Sequence, residues 1–435
     1  MKARNRKGIR SAKDIHAGEL AVRGGTPVRD ELAKPWPAWP QPGEKEWRER
    51  IEPALKKVYL SGCEGLPHPA ADAFAGRFAH YCGAAHGRMV ASGTTAVAAA
   101  LAAVLDLHAG DDAGEVILPD YTFIATASAA IDRGARLVFV DVDPRTFTMD
   151  PASFEAAIVP GRTRAVVPVH ILGHPADMAR ITALANAHGI QVIEDAAQAH
   201  GAQCDLGRTG ALGHAAAFSF QSSKNLTCGE GGLVTTSDPA IIDRVAAFMD
   251  VGRDPQGYRW DYPRLGWNYR PSEYLAALLN VRLDDLEGQI AHRARMAALL
   301  DERLAAIPGV TPPARGPWCR RHAYHLYAVL LDPAAFAGRS RDDIVAAVNA
   351  EGVPCSAGYR EPLSATPALR EHLRRHGDSF RAMPCPNARR ICDHSLWFGQ
   401  NLLLADEPDM NDIVAAVAKV QRAFAADPQR GHDGD

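Results

Sequence analysis

A polar turn, ASGTT at residues 91–95, runs directly into an Ala-rich stretch that ends near Leu105. We interpret this stretch as a helix, and backbone N–H groups at a helix N-terminus bind phosphate groups. Gly93 lets a ligand approach the backbone closely, and the hydroxyls of Thr94 and Thr95 add hydrogen-bond donors. The segment therefore indicates a phosphate site, with a plain helix cap as the structural alternative.

Two carboxylates, Glu194 and Asp195, end an apolar run that contains Val192 and Ile193. In open α/β sheets, ligands bind at the carboxyl ends of the strands, which places Asp195 where a cofactor would lie. An ionised aspartate that faces a pyridine nitrogen keeps that nitrogen protonated and so strengthens the ring as an electron sink. The structural alternative is an aspartate that caps a helix.

Lys224 closes the block FSFQSSK at residues 218–224, and a Gly-rich turn, GEGG, follows at 229–232. A lysine flanked by small polar residues at the end of a strand is well placed to form an imine with an aldehyde. Most lysines are solvated surface groups, and that alternative stays open for Lys224 alone. The Ser-x-x-Lys pattern of β-lactamases is excluded, because Gln221 stands three residues before the lysine.

The order of these signals is difficult to obtain by chance, and alternating segments explain how they are positioned. From 115 to 236, short β-branched runs alternate with Ala-rich helical stretches such as 177–188, a pattern typical of a mostly parallel sheet covered by helices. The fold class is therefore α/β. The candidate strands are 116–118, 137–141, 165–169, 191–194, 216–220 and 233–236.

The remaining segments predict three parts of the chain. Residues 1–50 form an N-terminal tail and an extended, Pro- and Trp-rich arm, with PWPAWPQPG at 35–43. Residues 51–305 form a large cofactor-binding domain that ends in a bridging helical segment, 271–307. Residues 306–435 form a small C-terminal α+β domain with a strand at 326–331 and helices at 341–351 and near 411–425.

Composition and charge exclude several classes of protein. The 435 residues carry a net charge of -3 and 47% hydrophobic residues, which favours a globular protein without affinity for nucleic acid or anionic membranes. The eight cysteines form no Cys-x-x-Cys pair, so neither a zinc knuckle nor a disulfide framework is expected. We find no membrane-spanning run and no signal peptide, and the basic start at 1–14 is interpreted as a solvated tail. We therefore expect a cytoplasmic protein.

Several blocks resemble the DegT/DnrJ/EryC1/StrS aminotransferases over about residues 20–425. The resemblance is carried by PDYTFIAT at 119–126, FSFQSSKNLTCGEGG at 218–232 and GWNYR at 266–270. It implies pyridoxal 5′-phosphate (PLP) as the cofactor and the fold type I of PLP-dependent transferases, as in aspartate aminotransferase. That fold has a large, mostly parallel sheet domain and a small C-terminal α+β domain.

The resemblance also assigns roles to the residues that could do chemistry. It implies that Lys224 is the catalytic residue and holds PLP as a Schiff base, that Asp195 faces the pyridinium nitrogen and that Gln198 donates to the ring 3-oxygen. Thr94, Thr95 and Ser219, beside Gly93, would hold the phosphate. Phe123 occupies the position at which the family stacks an aromatic ring on the cofactor, with a core phenylalanine as the alternative.

Three further positions follow from the resemblance. Asn268 matches a residue that reaches the phosphate of the neighbouring subunit, which implies a homodimer with a shared active site; a loop-capping asparagine is the alternative. His325 matches a histidine near the substrate, and a packed histidine is the alternative. Tyr121 is a second substrate candidate that could simply pack in the core.

The expected substrates are an amino donor, L-glutamine or L-glutamate, and a ketone acceptor. The motifs WPAWP at 36–40, QSSK at 221–224 and PCSAGY at 354–359 look like those of glutamine-dependent scyllo-inosose aminotransferases. CPN at 385–387 and the pair Leu396-Trp397 look similar to the ending of 3-amino-5-hydroxybenzoate synthase. We expect a cyclitol or sugar ketone in aminoglycoside-like biosynthesis; the benzoate synthase and a nucleotide-linked keto sugar stay open as alternatives.

Other chemistries have weaker support. His170 and His174 are spaced as zinc ligands can be, but a glycine and a proline flank His174, so a helix is unfavourable and no metal site is predicted. Sugar dehydratases of the family carry histidine in place of the lysine, which Lys224 argues against. A non-catalytic PLP-binding regulator would be indicated by loss of Lys224, Asp195 or Gln198, and all three are present.

Overall fold

The computed structural model describes residues 19–41, 43–63, 68–258, 260–377 and 380–426. The basic segment 1–14 lies outside the described residues. In the described parts, the strands are β1 (His86–Val90), β2 (Glu115–Pro119), β3 (Arg136–Val140), β4 (Thr163–Val166), β5 (Gln191–Asp195), β6 (Gln203–Cys204), β7 (Gly207–Arg208), β8 (Ala215–Ser219), β9 (Gly232–Thr236), β10 (Val310–Thr311), β11 (Cys319–Arg321), β12 (Leu326–Leu331), β13 (Phe380–Ala382) and β14 (Ser395–Gly399).

The helices cover both faces of the large sheet and build the C-terminal part. They are α1 (Glu44–Glu46), α2 (Glu52–Ser61), α3 (Pro69–Cys82), α4 (Gly93–Val104), α5 (Ile124–Asp132), α6 (Pro151–Ala157), α7 (Met178–Ala187), α8 (Pro239–Met249), α9 (Glu273–Arg282), α10 (Leu286–Leu304), α11 (Arg341–Ala350), α12 (Pro367–His376), α13 (Pro386–His394) and α14 (Glu407–Ala426). No described helix combines the length and the apolar character that crossing a membrane requires.

The large sheet has eight strands in the order β1-β9-β8-β5-β4-β2-β3-β13. All neighbours from β8 to β13 are parallel, and β9 runs antiparallel to both β8 and β1. The α/β class and the mostly parallel sheet are therefore confirmed. Each of the six expected strands is present, with ends that differ by at most three residues.

Helix α4 explains how the phosphate turn is held at the edge of this sheet. Ala96 to Ala103 are each at most 5% exposed, and the helix packs against α5, α8 and β8. Because most of these side chains are alanine, which is small, the helix packs closely against the strand and the helices around it. Its first residue, Gly93, is thereby fixed beside Ser219 at the end of β8.

The segment 271–307 is not one helix. Helix α9 ends at Arg282, a short 3-10 turn, Leu283–Asp285, follows, and α10 then runs to Leu304. The apolar spacing continued through this junction, so the sequence pattern did not reveal the break. Because α10 packs on α14 in a separate apolar cluster, this long segment connects the large sheet to the C-terminal part.

The C-terminal part contains a three-stranded sheet, β10-β12-β14, covered by α10, α11 and α14. Strand β13 leaves this region and pairs in parallel with β3 of the large sheet. The boundary between residues 305 and 306 stays a prediction. The pairing of β13 shows that the C-terminal segment also completes the edge of the large sheet.

The arm at residues 35–41 has no regular secondary structure and crosses from the C-terminal part to the large sheet. Trp36 Nε1 donates to the carbonyl of Gly352 (2.9 Å), and Asn401 Nδ2 donates to the carbonyl of Pro37 (2.9 Å). Trp39 Nε1 then donates to the backbone carbonyl of Lys224 (3.0 Å). The arm therefore connects directly to the segment that carries the lysine.

Candidate active site

A cavity of about 860 Å³ lies where β5 and β8 end, between the large sheet, the arm and the C-terminal part. It contains most of the residues that the sequence singled out. Those that line it are Gly93, Thr94, Phe123, Asp195, Gln198, Ser219, Lys224 and His325.

One end of the cavity is formed by the N-terminus of α4. Ser92 caps this helix, since its hydroxyl accepts from the backbone N–H of Thr95 (3.2 Å) and lies 2.9 Å from the hydroxyl of Thr95. A Cβ on Gly93 would lie 2.5 Å from Cβ of Ser219, so only glycine fits at this position. The helix dipole and the free backbone N–H groups make this end favourable for an anion.

Asp195 is buried at the end of β5 with its carboxylate in the cavity. Oδ2 accepts a hydrogen bond from the hydroxyl of Thr126 (2.7 Å), and Oδ1 accepts from the backbone N–H of Ala197 (3.1 Å). These two hydrogen bonds fix the orientation of the carboxylate. Asp195 is thus placed so that its carboxylate can pair with a positively charged ring nitrogen.

The neighbouring carboxylate has a structural role. Glu194 points away from the cavity, as alternation along a strand requires, and is completely buried. Its carboxylate accepts from the backbone N–H groups of Gly210 (2.9 Å), Leu212 (2.7 Å) and Gly213 (3.0 Å), and it pairs with His170 (3.0 Å). Glu194 therefore holds the turn that leads into β8, and of the two acids only Asp195 lines the cavity.

Lys224 follows β8 through a tight turn in which its backbone N–H donates to the carbonyl of Gln221 (2.9 Å). Burial lowers the pKa of the amine to about 8, and the negative charge of Asp195 opposes this change. An amine with such a pKa is partly unprotonated near neutral pH, which both imine formation and proton transfer require.

Gln198 and Phe123 line the cavity in different ways. Gln198 Oε1 accepts from the backbone N–H of Leu172 (2.8 Å), which leaves the amide nitrogen as the donor. The side chain of Phe123 is 56% exposed, although its neighbours in the chain are largely buried. An aromatic ring that is open to a cavity provides a face on which a planar ligand can stack.

Three predicted site residues do not line this cavity. The hydroxyl of Thr95 is hydrogen-bonded to that of Ser92, the residue that caps α4. Tyr121 is buried behind two residues that do line it, with ring centroids 5.2 Å from Tyr359 and 6.4 Å from Trp397. Asn268 is exposed and lies outside the cavity of its own chain.

The histidines have different surroundings. His325 is buried at the cavity wall, and burial lowers its pKa well below the usual value, so it is neutral at physiological pH. His170 and His174 use both ring nitrogens in hydrogen bonds within the protein: His170 with Glu194 and the backbone N–H of Ala176, His174 with the carbonyl of Pro175 and the backbone N–H of Gly316. Both histidines therefore hold loops together.

Sequence reasoning did not assign several residues that line or support the cavity. The missed residues are Trp39, Ser92, Thr126, Tyr359, Trp397, Gln400 and Asn401. The WPAWP and PCSAGY motifs signalled Trp39 and Tyr359 only as marks of similarity. Gln400 and Asn401 had no signal, because a polar pair after a strand is typical of any surface turn.

The sheet, the anion-binding helix end, the fixed carboxylate and the buried amine define an α/β enzyme of fold type I. The chain belongs to the DegT/DnrJ/EryC1/StrS aminotransferase family, whose sequence profile matches residues 46–418. It is therefore an aminotransferase by family, as expected from its sequence motifs.

Named relatives cover nearly the whole chain. The chain is 38% identical over 430 residues to L-glutamine:2-deoxy-scyllo-inosose aminotransferase of Streptoalloteichus tenebrarius, and the match covers 93% of this chain and 97% of the relative. It is 35% identical over 421 residues to L-glutamine:scyllo-inosose aminotransferase of Streptomyces griseus, covering 92% and 97%. The crystal structure of 3-amino-5-hydroxybenzoic acid synthase matches with a TM-score of 0.79 and 30% identity, covering 88% of this chain and 98% of that one.

Proposed function

We propose that this enzyme transfers an amino group from L-glutamine to a cyclitol ketone of the scyllo-inosose type, with PLP bound in the cavity. One observation carries the proposal: the Lys224 amine, the Asp195 carboxylate and the N-terminus of α4 line a single cavity. The names of the relatives supply the substrate class, since they use L-glutamine and act on inososes.

The residues present fit PLP. The cradle between Gly93 and Ser219, which a Cβ would fill, suits the phosphate, and Thr94 adds a hydroxyl. Asp195 suits the ring nitrogen, Phe123 the face of the ring and Lys224 the aldehyde. When bound, PLP would supply an aldehyde carbon that accepts the amino group in exchange for its oxygen, and a pyridine ring that withdraws electrons.

The protein's own groups perform the proton transfers. Lys224 Nζ, once free, removes the proton from Cα of the amino donor and later returns a proton to the acceptor carbon. Its pKa of about 8 lets it act as base and acid near neutral pH. Asp195, oriented by Thr126, holds a proton at the ring nitrogen throughout.

The far wall of the cavity suits a ring that carries hydroxyl groups. Tyr359 and Trp397 provide aromatic surface, and Asn401 and His325 provide polar groups. Cyclitols present both an apolar ring face and equatorial hydroxyls, so this mixture matches them. Tyr121 supports the wall from behind through its contacts with Tyr359 and Trp397.

We also propose that the enzyme works as a cytoplasmic homodimer. Asn268 is exposed outside its own cavity, and large exposed apolar side chains lie near it in the chain, at Tyr258, Tyr262 and Leu265. A second subunit would cover these side chains and bring its Asn268 to the phosphate end of the neighbouring site. The eight cysteines are free thiols, which favours a reducing compartment.

The test follows the two half-reactions separately. Purified enzyme with PLP is mixed with L-glutamine or L-glutamate, and the visible absorbance of the cofactor and the keto acid product are measured. Scyllo-inosose, 2-deoxy-scyllo-inosose and nucleotide-linked keto sugars are then offered as acceptors. We expect bleaching by L-glutamine and recovery with an inosose.

The same experiment separates the alternatives. Recovery only with nucleotide-linked sugars would replace the acceptor class, and formation of an aromatic amino acid would support the aminohydroxybenzoate alternative. A regulator would bind PLP without any keto acid being formed. Lys224→Ala should abolish bleaching, whereas Lys57→Ala, at an exposed lysine on α2, should not change it.

A further inference from the structure

A buried arginine lies behind the cavity wall. Arg293, on α10, is 0% exposed, and burial lowers its pKa to about 9, so its guanidinium is still charged at neutral pH. Among the described residues, no acid forms an ion pair with it, and its Nη1 has no hydrogen-bond partner. Burying a cation without a negatively charged partner is costly. We therefore expect an anionic ligand that binds near Arg293 to offset this cost.

The contacts of Arg293 converge on Gln400. Nε and Nη2 both donate to Oε1 of Gln400, with Nε at 3.0 Å, and Nε also lies 3.3 Å from its backbone carbonyl. Two donors on Oε1 settle which end of the amide is the oxygen. Gln400 Nε2 is then the free end, and within the described chain it donates to no protein group.

Gln400 lines the same cavity as Lys224, and Trp39 connects the two sides. The guanidinium carbon of Arg293 lies over the indole of Trp39, 5.1 Å from the ring centroid, while Trp39 Nε1 donates to the Lys224 carbonyl. The arginine is therefore held rigidly between the arm and the wall. A fixed donor group in front of a fixed positive charge is suited to an anion.

We propose that Gln400 binds the α-carboxylate of the amino donor through Nε2 and that Arg293 positions this amide and supplies the attracting positive charge. The inference rests on the proposed function and extends it to the donor. A cyclitol ketone carries no negative charge, whereas every amino acid donor carries a carboxylate. The phosphate end of the cavity, at α4, is already provided with its own donors.

Gln400→Glu tests this arrangement. The glutamate keeps the size of the side chain and pairs with Arg293, so folding should be preserved or improved, which a thermal melt checks. Its negative charge repels the donor carboxylate. We expect KM for L-glutamine to rise at least about tenfold, with KM for the inosose within about twofold of wild type.

A donor analogue distinguishes carboxylate binding from a purely structural role of Gln400. A structural role would not change the preference of the enzyme for one donor over the other. L-Glutamine α-amide has a neutral amide where L-glutamine has its carboxylate. The wild-type enzyme should prefer L-glutamine strongly in kcat/KM, and Gln400→Glu should reduce that preference at least about tenfold. Arg293→Lys, which keeps the charge but loses the planar fork, should reduce it as well.

Gln221→Glu is the matched control. It adds the same charge to the same cavity, but its side chain bonds to Ser222 and Ser223, whereas the hydrogen bonds of Arg293 go to Gln400. Its effect on the preference should be at least about fivefold smaller than that of Gln400→Glu.

Three results would overturn the inference. One is an unchanged preference in Gln400→Glu, the second is an equal effect of Gln221→Glu, and the third is a rise in KM for the inosose alone, which would place Gln400 against the acceptor. If wild-type enzyme reacts with no amino donor, the proposed function fails and the inference with it. A wild type that bleaches with L-glutamine while the variant keeps its preference refutes only the role of Gln400.

Discussion

The hydroxyl of Thr126 donates a hydrogen bond of 2.7 Å to Oδ2 of Asp195, although 69 residues separate them in the chain. Thr126 lies in the first turn of α5, and Asp195 ends β5. The same hydroxyl lies 3.2 Å from that of Thr122. Asp195 is thus oriented by a second segment of the sheet edge.

Thr126→Val should weaken catalysis by removing this hydrogen bond without changing the shape of the side chain. A hydrogen bond to a charged group contributes about 1.5–3 kcal/mol, so we expect kcat to fall about tenfold or more. Thr126→Ser keeps the hydroxyl and should stay within about threefold of wild type. The kcat of each variant is measured by steady-state kinetics with saturating PLP. A wild-type kcat in Thr126→Val would show that catalysis does not need this hydrogen bond to orient Asp195.

Gly93→Ala should lower the affinity for PLP. The added Cβ would lie 2.5 Å from Cβ of Ser219, so the helix end or the strand end must move. Overpacking of this kind costs about 1–3 kcal/mol, which corresponds to a rise in Kd of about 5-fold to 160-fold. Titration of the cofactor-free protein with PLP measures this Kd. Gly76→Ala, in the middle of α3 with no atom near the new Cβ, should bind PLP as wild type does and be slightly more stable.

Sequence patterns located the sheet and the local parts of the site because both depend on short-range order. Buried strands show as β-branched runs, and the turn before α4 shows as Gly and hydroxyl residues before an Ala-rich stretch. Lys224, Asp195 and Gly93 were found in this way, and the cavity contains all three.

The contacts that support these residues could not be read from the sequence. Trp39 reaches the Lys224 carbonyl across 185 residues, and Arg293 holds Gln400 across 107. Such pairs depend on how the arm and α10 pack. Tyr121 shows the same limit, because its position two residues before Phe123 does not reveal that its ring turns into the core.

The stability of the cofactor-free enzyme should depend on pH through Lys224. Burial lowers the pKa of Lys224 to about 8, whereas the unfolded chain has a value near 10.4. Between these values the folded state binds fewer protons than the unfolded state, so the Lys224 contribution to the free energy of unfolding rises with pH. Below pH 8 the buried charge destabilises the fold.

Lys224→Met should therefore stabilise the cofactor-free protein most below pH 8, by about 1–3 kcal/mol, and the gain should shrink as pH approaches 10.4. Urea unfolding at several pH values measures this difference. Lys57→Met, at an exposed position, should show no such trend. A constant difference at all pH values would mean that the Lys224 amine is not titrating in this range.

Mixing two inactive variants tests whether the active site is shared. Lys224→Ala removes the amine, and Asn268→Ala removes the side chain proposed to reach the neighbouring phosphate. In a hybrid dimer, one site has Lys224 from its own chain and Asn268 from the partner, so it is complete, while the other site lacks both. After equal amounts of the variants have exchanged subunits, about a quarter of the wild-type activity should return.

Asn225→Ala replaces Asn268→Ala in the control mixture. Asn225 follows the lysine and donates to the carbonyl of Ala323 in its own chain (2.7 Å), so any loss that it causes lies within one subunit. In a hybrid with Lys224→Ala, one site then lacks only Lys224 and the other lacks only Asn225, so mixing should restore no activity beyond that of Asn225→Ala itself. If Asn268 instead acted within its own chain, one site of the first hybrid would lack only Lys224 and the other only Asn268, and mixing would restore nothing.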